Sequence, residues 1–288
     1  MAGLNDARRR LAALLALTGA CALWGLSFPV MRALQLAAPA REPAAATWAV
    51  AAWCLCLRFT LAAAAIALVL GRRWRGWRAA ELAQGCAFGV FTGIGLLLQM
   101  DALAYTSASA SAFLTQAYCV ALPLVGAVAA RRPPSPRVVL AVALVMAGVA
   151  ILAQVDWRAL RLGRGEAETL LGAASFALQI LSLERRAWAG NDAARVSLVA
   201  FAVLAALSAP VALAGLPATT ALRLFAAPDA AACVIGLALL PTALAMWLQN
   251  RCQPIVGAVP AALLYASEPV FAAVSAWFLP GWLSAAMG

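Results

Sequence analysis

Nine runs of apolar residues, divided by short polar punctuation, take up most of the chain. They fall at about 11–34, 50–71, 81–101, 106–129, 137–154, 167–184, 196–216, 230–250 and 256–279. A helix rises ~1.5 Å per residue and the hydrocarbon core of a bilayer is ~30 Å thick, so about 20 apolar residues cross it. The pattern therefore predicts nine membrane-spanning helices with short connections: an all-α integral membrane bundle. Residues 281–288 could only begin a tenth helix, so the last span reads as truncated. The first run follows Arg8-Arg9-Arg10, as in a signal peptide. It continues from Leu11 to about Leu34, too long for a cleavable apolar region, and predicts an uncleaved first helix.

Composition agrees with a membrane protein. Hydrophobic residues make up 65% of the 288, charged residues 11%, and mean hydropathy is +0.91. The net charge of +10 does not point to nucleic acid, because the arginines gather at the ends of the apolar runs. With the N-terminus inside, fourteen lie at inner ends: Arg8, Arg9, Arg10, Arg72, Arg73, Arg75, Arg78, Arg131, Arg132, Arg137, Arg185, Arg186, Arg195 and Arg251. Six lie at outer ends: Arg32, Arg41, Arg158, Arg161, Arg164 and Arg223. Basic residues favour the cytoplasmic side, so this bias predicts a cytoplasmic N-terminus. Trp48, Trp53, Trp74, Trp77, Trp157 and Trp188 fall near span ends and are expected as interface anchors. The seven cysteines form no Cys-x-x-Cys pair and there is no histidine, so neither a metal site nor a disulfide framework is expected.

One acid is out of place. Glu268, in Tyr265-Ala266-Ser267-Glu268-Pro269-Val270-Phe271, lies about 12 residues from either end of the ninth run. That is ~18 Å from each surface, beyond the reach of its side chain. A charge in mid-bilayer costs about 2.5–3.5 kcal/mol on insertion scales. Pro269 has no N–H to offer the Tyr265 carbonyl, so a second polar group is released beside the first. The pair reads either as a wet, solute-handling site or as a neutral glutamic acid bonded between packed helices.

Other mid-span polar residues join it. Ser111, Thr115 and Tyr118 share a face of the fourth run, with Gln116 about 100° away from Thr115. Tyr118 and Gln116 either line a cavity or bond to neighbouring helices; Ser107, Ser109 and Ser111 read as small packing residues. Arg58 lies ~21 Å from the inner surface and ~9 Å below the outer one. It either snorkels or turns inward to meet an anion or an acid. Trp24-Gly25 before Pro29 predicts a bent first helix with Trp24 turned inward or toward lipid. Gly85, Gly89 and Gly93 form a small-residue stripe, a helix-packing face. Gln99, Asp101, Gln249 and Asn250 fall toward helix ends, where water is expected, and Glu184 with Arg185-Arg186 reads as a solvated inner boundary. Pro210 and Pro241 are expected to bend their helices.

The chain also repeats weakly. A shift of 150 residues lays Leu98-Gln99 on Leu248-Gln249 and Tyr118 on Glu268. About five helices per half would make the halves run oppositely through the membrane, with a solute site at their interface. The expected division is 1–155 and 156–288.

Several stretches resemble a known family. They are Ala22-Leu23-Trp24-Gly25-Leu26-Ser27-Phe28, Leu57-Arg58-Phe59, Ala104-Tyr105-Thr106-Ser107-Ala108-Ser109 with Phe113-Leu114-Thr115, and Glu268-Pro269-Val270-Phe271-Ala272. In order and spacing they are similar to the drug/metabolite transporter superfamily, EamA type. The resemblance implies ten helices in two inverted five-helix repeats and export of amino acids, metabolites or drugs through a central cavity. The chain departs from it where a Gly-Glu-Arg-like turn is usual: Ala130-Arg131-Arg132-Pro133-Pro134 and Leu279-Pro280-Gly281-Trp282 stand there, and the tenth helix is missing.

The sequence thus predicts a secondary carrier of a bacterial inner membrane that exports a small molecule, without cofactor or metal. Glu268, Tyr265, Tyr118, Gln116, Thr115, Trp24 and Arg58 are its substrate-path candidates, Glu268 either binding a cationic group or carrying a proton. No nucleotide-binding, metalloprotease or serine-hydrolase motif is present, so an enzyme is not expected. The alternative is a non-transporting membrane protein, either a truncated remnant or a subunit that takes its tenth helix from a partner.

Overall fold

The computed structural model describes residues 2–71, 76–152 and 163–276. Among these, regular structure is entirely helical. The helices are α1 (Ala2–Gly25), α2 (Ser27–Arg41), α3 (Thr47–Leu70), α4 (Ala79–Ala102), α5 (Ala108–Thr115), α6 (Tyr118–Ala130), α7 (Pro136–Leu152) and α8 (Arg164–Ser182). They continue with α9 (Ala193–Gly215), α10 (Ala218–Ala226), α11 (Pro228–Leu237), a π-helical segment (Ala238–Leu244), α12 (Ala245–Val256), α13 (Ala258–Tyr265) and α14 (Glu268–Ala276). Trp74, Trp157, the 155/156 division and the start of a tenth helix lie outside the described residues.

The bundle is apolar outside and polar within. Leu68, Val128 and Ile151 are 82%, 79% and 78% exposed, while Arg58, Gln99, Gln179, Gln249 and Glu268 are buried. Such a surface suits lipid as solvent, with polar side chains turned to the bundle interior. Seven stretches are long and apolar enough to cross a bilayer: Asn5–Arg41, Thr47–Leu70, Ala79–Ala102, Ala110–Val128, Ala193–Gly215, Pro228–Val256 and Ala258–Ser275. Two of the nine expected spans fall short of that measure. Pro136–Ile151 is shorter, and α8 (Arg164–Ser182), in place of the expected 167–184, carries Thr169, Ser175 and Gln179. Those polar residues are buried in α8, which packs along α4, so this helix can be less apolar and still turn no polar face to lipid.

Proline and glycine decide where the helices break. The first run turns at Leu26, between α1 and α2, where Pro29 cannot donate to the Gly25 carbonyl. Ser27 Oγ donates instead to the Trp24 carbonyl at 2.7 Å. The fourth run breaks at 116–117 and the last at 266–267. Pro241 sits in the π-helical segment, so its distortion widens the helix locally. Ser107, expected only to pack, caps α5 by accepting from the Ala110 N–H at 3.0 Å.

The glycine stripe packs as expected. A Cβ on Gly85 would lie 2.5 Å from Val199 Cβ, and one on Gly89 2.6 Å from the Ala200 carbonyl oxygen, so α4 lies directly on α9. At Gly25 a Cβ would fall 2.8 Å from Ala272 N, which brings α1 against the backbone of α14. The two largest apolar clusters each draw on residues from both sides of the 155/156 division.

Candidate functional site

A chamber of about 80 Å³ lies in the middle of the bundle. Its walls are Trp24, Ser27, Arg58, Thr92, Leu96, Gln99, Thr115, Tyr118, Phe176, Gln179, Ile180, Met246, Gln249, Tyr265 and Glu268. Six of the seven substrate-path candidates are here. Gln116 is not: it is fully buried at the α5–α6 break, with Cys119 Sγ 3.9 Å from its Oε1. The break turns its side chain away from the face that Thr115 and Tyr118 share.

Glu268 opens α14, and the turn at 266–267 presents it to the chamber. Neither the hydrogen bonds nor the ion pairs described in the structure engage its carboxylate. Trp24 is turned inward, with its indole Nε1 donating to the Pro241 carbonyl at 2.9 Å. Its ring meets Tyr265 edge-on, centroids 5.2 Å apart. The Tyr265 hydroxyl donates to Gln253 Oε1 at 3.1 Å, and Gln253 Nε2 donates to the Ile180 carbonyl at 2.8 Å. This chain of contacts ties α13, α12 and α8 together at the chamber's edge.

Arg58 does not snorkel. It is 1% exposed, Nε donates to Thr242 Oγ1 in the π-helical segment, and Nη1 lies 3.4 Å from Met31 Sδ. Gln99 and Gln249, expected near water at helix ends, are both buried and line the chamber. Gln99 Nε2 donates to Thr115 Oγ1 at 2.9 Å, and Gln249 Nε2 to Gln253 Oε1 at 3.2 Å. Asn250 and Asp101 are buried too, Asn250 on Ser197 Oγ and Asp101 in an ion pair with Arg164. Trp53 is buried, not an interface anchor, and its Nε1 donates to the Leu216 carbonyl. Thr92 and Gln179 line the chamber, and each keeps a buried polar atom without a partner. Sequence reasoning missed Thr92, Gln179 and Thr242, because a threonine or glutamine in a span has no pattern that separates wall from packing. The one available signal was Pro241 beside Thr242.

A vestibule of about 1030 Å³ lies toward the C-terminal ends of α8 and α12. Arg9, Arg10, Arg185, Arg186 and Arg251 border it, with Asp6, Glu184 and Asp192. Glu184 is exposed, as expected, and its carboxylate also accepts from the Ala258 N–H that opens α13. At the other end Arg164 Nη2 pairs with Asp101 Oδ2 at 2.5 Å, and Tyr105 bridges Arg164 to Thr47 Oγ1. Arg32 donates there to the Leu103 and Thr106 carbonyls.

A solved crystal structure of a protein is similar over 92% of each chain, with a TM-score of 0.59 and 17% identity, a likeness of fold alone. No curated protein sequence matches. The EamA-like transporter family profile matches residues 11–154, half of the chain. A polytopic helical membrane protein with that match belongs to the EamA-like transporter family.

Proposed function

We propose that the chain is a secondary-active carrier that exports a small metabolite, amino acid or drug by alternating access. The observation that carries this reading is the central chamber, whose walls bring together Glu268, Arg58, Gln99 and Gln249 from elements on both sides of the 155/156 division. The N-terminus is cytoplasmic, in a bacterial inner membrane, and the arginine-bordered vestibule opens to that side. The Arg164–Asp101 and Arg32 contacts close the outer end. Glu268 binds a cationic group of the solute or carries a proton.

The two halves, 1–155 and 156–288, are inverted repeats in this reading. The breaks at 116–117 and 266–267 are 150 residues apart, the shift that lays Tyr118 on Glu268. The same shift lays α3 on α9, α4 on the α11-to-α12 stretch and α1 on α8. The packing follows it. α4 lies on α8 as α12 lies on α1; α5 and α6 lie on α8 as α13 and α14 lie on α1; α3 pairs with its own counterpart α9. The family match ends at 154, beside the proposed division. Repeats of this kind put a solute site at their interface near mid-depth, and a chamber walled from both sides of the proposed division supports that reading.

The test is Glu268→Gln in proteoliposomes loaded with a panel of small metabolites. Flux is expected to fall at least about tenfold or to lose its pH dependence. Unchanged flux with unchanged pH dependence removes Glu268 from the mechanism, and a wild type that moves no solute of the panel removes the carrier reading.

A further inference from the structure

The vestibule gathers positive charge from three separate elements. Arg9 and Arg10 come from α1, Arg185 and Arg186 from the turn after α8, and Arg251 from α12. All five are exposed, and they border one hollow. None of them is in an ion pair among the described residues, where the four pairs use Arg41, Arg164 and Arg195. Three carboxylates share the hollow, and two are already engaged. Glu184 accepts from the Ala258 N–H at the start of α13. Asp192 Oδ1 accepts from the Ala194 and Arg195 N–H groups at the start of α9, at 2.8 and 3.1 Å. The partial positive charge of a helix N-terminus holds a carboxylate in such a place. Among the described residues, Asp6 is the acid left to face the arginines.

Two of the arginines lie over indole rings. Arg185 stands 5.3 Å from the centroid of Trp188, and Arg251 5.3 Å from that of Trp247. A ring steadies the guanidinium by its face and leaves the N–H edge free, and that edge matches two phosphate oxygens at once. The hollow also has an apolar side, formed by Val69 and Leu70 of α3 with Trp247 and Ile255 of α12. Val69 is 77% exposed and adjoins Leu68, which belongs to the outward apolar surface. A basic rim therefore meets an apolar helix end that faces lipid. That combination suits an amphiphile, because a soluble anion gains nothing from Val69. Basic pockets between membrane helices hold anionic headgroups in this way, and each arginine near such a surface adds about fivefold to the affinity.

We infer that the vestibule rim is a binding site for an anionic phospholipid, its phosphate on the arginines and an acyl chain against the end of α3. A lipid seated there ties α1, α12 and the turn after α8 to α3, whether or not the chain moves a solute. The phosphate is the group recognised. The chain along Val69 sets the lipid apart from a free phosphate.

The experiment uses the purified full chain, delipidated in neutral detergent and given phosphatidylglycerol or phosphatidylcholine with the same acyl chains. Native mass spectrometry reads the lipid retained, and the thermal midpoint is followed beside it. Half-maximal retention of phosphatidylglycerol is expected at a concentration at least about tenfold lower, with the difference shrinking in high salt. Arg185→Gln/Arg186→Gln/Arg251→Gln should bring the ratio below about threefold. Arg132→Gln/Arg137→Gln removes two arginines outside the vestibule and should leave it unchanged. If the triple variant does not fold, Arg9→Gln/Arg186→Gln, at two exposed positions, should still lower the ratio at least about threefold. Inorganic phosphate and glycerol 3-phosphate should displace the lipid only at far higher concentrations. Equal retention of the two lipids overturns the proposal, as does a preference that survives the vestibule variants or falls equally with Arg132→Gln/Arg137→Gln. Displacement by inorganic phosphate at the lipid's own concentration overturns it too, and makes the ligand a soluble phosphate.

Discussion

Trp24 holds three elements at once: it belongs to α1, its indole N–H bonds to Pro241 in the π-helical segment, and its ring lies edge-on to Tyr265 of α13. Trp24→Phe keeps most of the ring and deletes the donor. The Pro241 carbonyl then loses its partner in a part-buried place, so stability should fall by about 1–3 kcal/mol, read as a lower thermal midpoint in detergent. Arg131 offers the opposite case. It ends α6 with φ at 50°, a left-handed conformation that costs an L-residue roughly 1–2 kcal/mol. Arg131→Gly removes that strain and gives back about 0.5–1 kcal/mol in chain entropy. A net gain of about 0.5–1 kcal/mol should appear as a raised midpoint with flux unchanged.

Between elements, backbone proximity is the quantity that matters, since lipid gives helices little hydrophobic reason to associate. Gly89 has the Ala200 backbone beneath it, whereas Gly148 has nothing within 4 Å. Gly89→Ala should therefore push α4 off α9 and cost about 1–3 kcal/mol. Gly148→Ala, in α7, should be neutral or stabilising by up to about 1 kcal/mol. Equal effects on the thermal midpoint would mean that close α4–α9 contact does not hold the bundle. The stripe of Gly85, Gly89 and Gly93 was legible in the sequence as a packing face. Its partner was not, because spacing says that a face is smooth and says nothing of which helix lies on it. The π-helical segment was legible only as a bend at Pro241.

For the whole molecule, the two ends differ in kind. The vestibule end is wide, and the other is tied by contacts at the chain's polar turns. The Arg164 side chain is 50% exposed and that of Asp101 only 8%, so water reaches the pair from the arginine side. A tie that water reaches from one side can hold an end shut and still release. Asp101→Asn should raise the reactivity of Thr106→Cys toward a membrane-impermeant thiol reagent severalfold, against the same chain lacking the introduced cysteine. Unaltered labelling would show that the pair does not govern closure. The Arg164 contact also explains why Asp101, expected near water, is buried. Its position near a helix terminus was read correctly, but α8 begins beside it and Arg164 covers it.

The sequence alone determined whatever depends on local physics. Bilayer thickness makes apolar run length informative, so an all-helical membrane bundle followed from the pattern. Missing proline N–H groups marked the breaks near Gly25, Tyr265 and Pro241, and the cost of a mid-bilayer charge singled out Glu268. Tertiary structure decided where each polar face points. Successive residues on a helix differ by about 100° in direction, and only the neighbours say which direction is inward. That settled Arg58 against Thr242, moved Gln99 and Gln249 into the chamber wall, and turned Gln116 out of it. Depth in the membrane is a property of one segment; convergence belongs to several segments at once, and no single stretch of chain contains it.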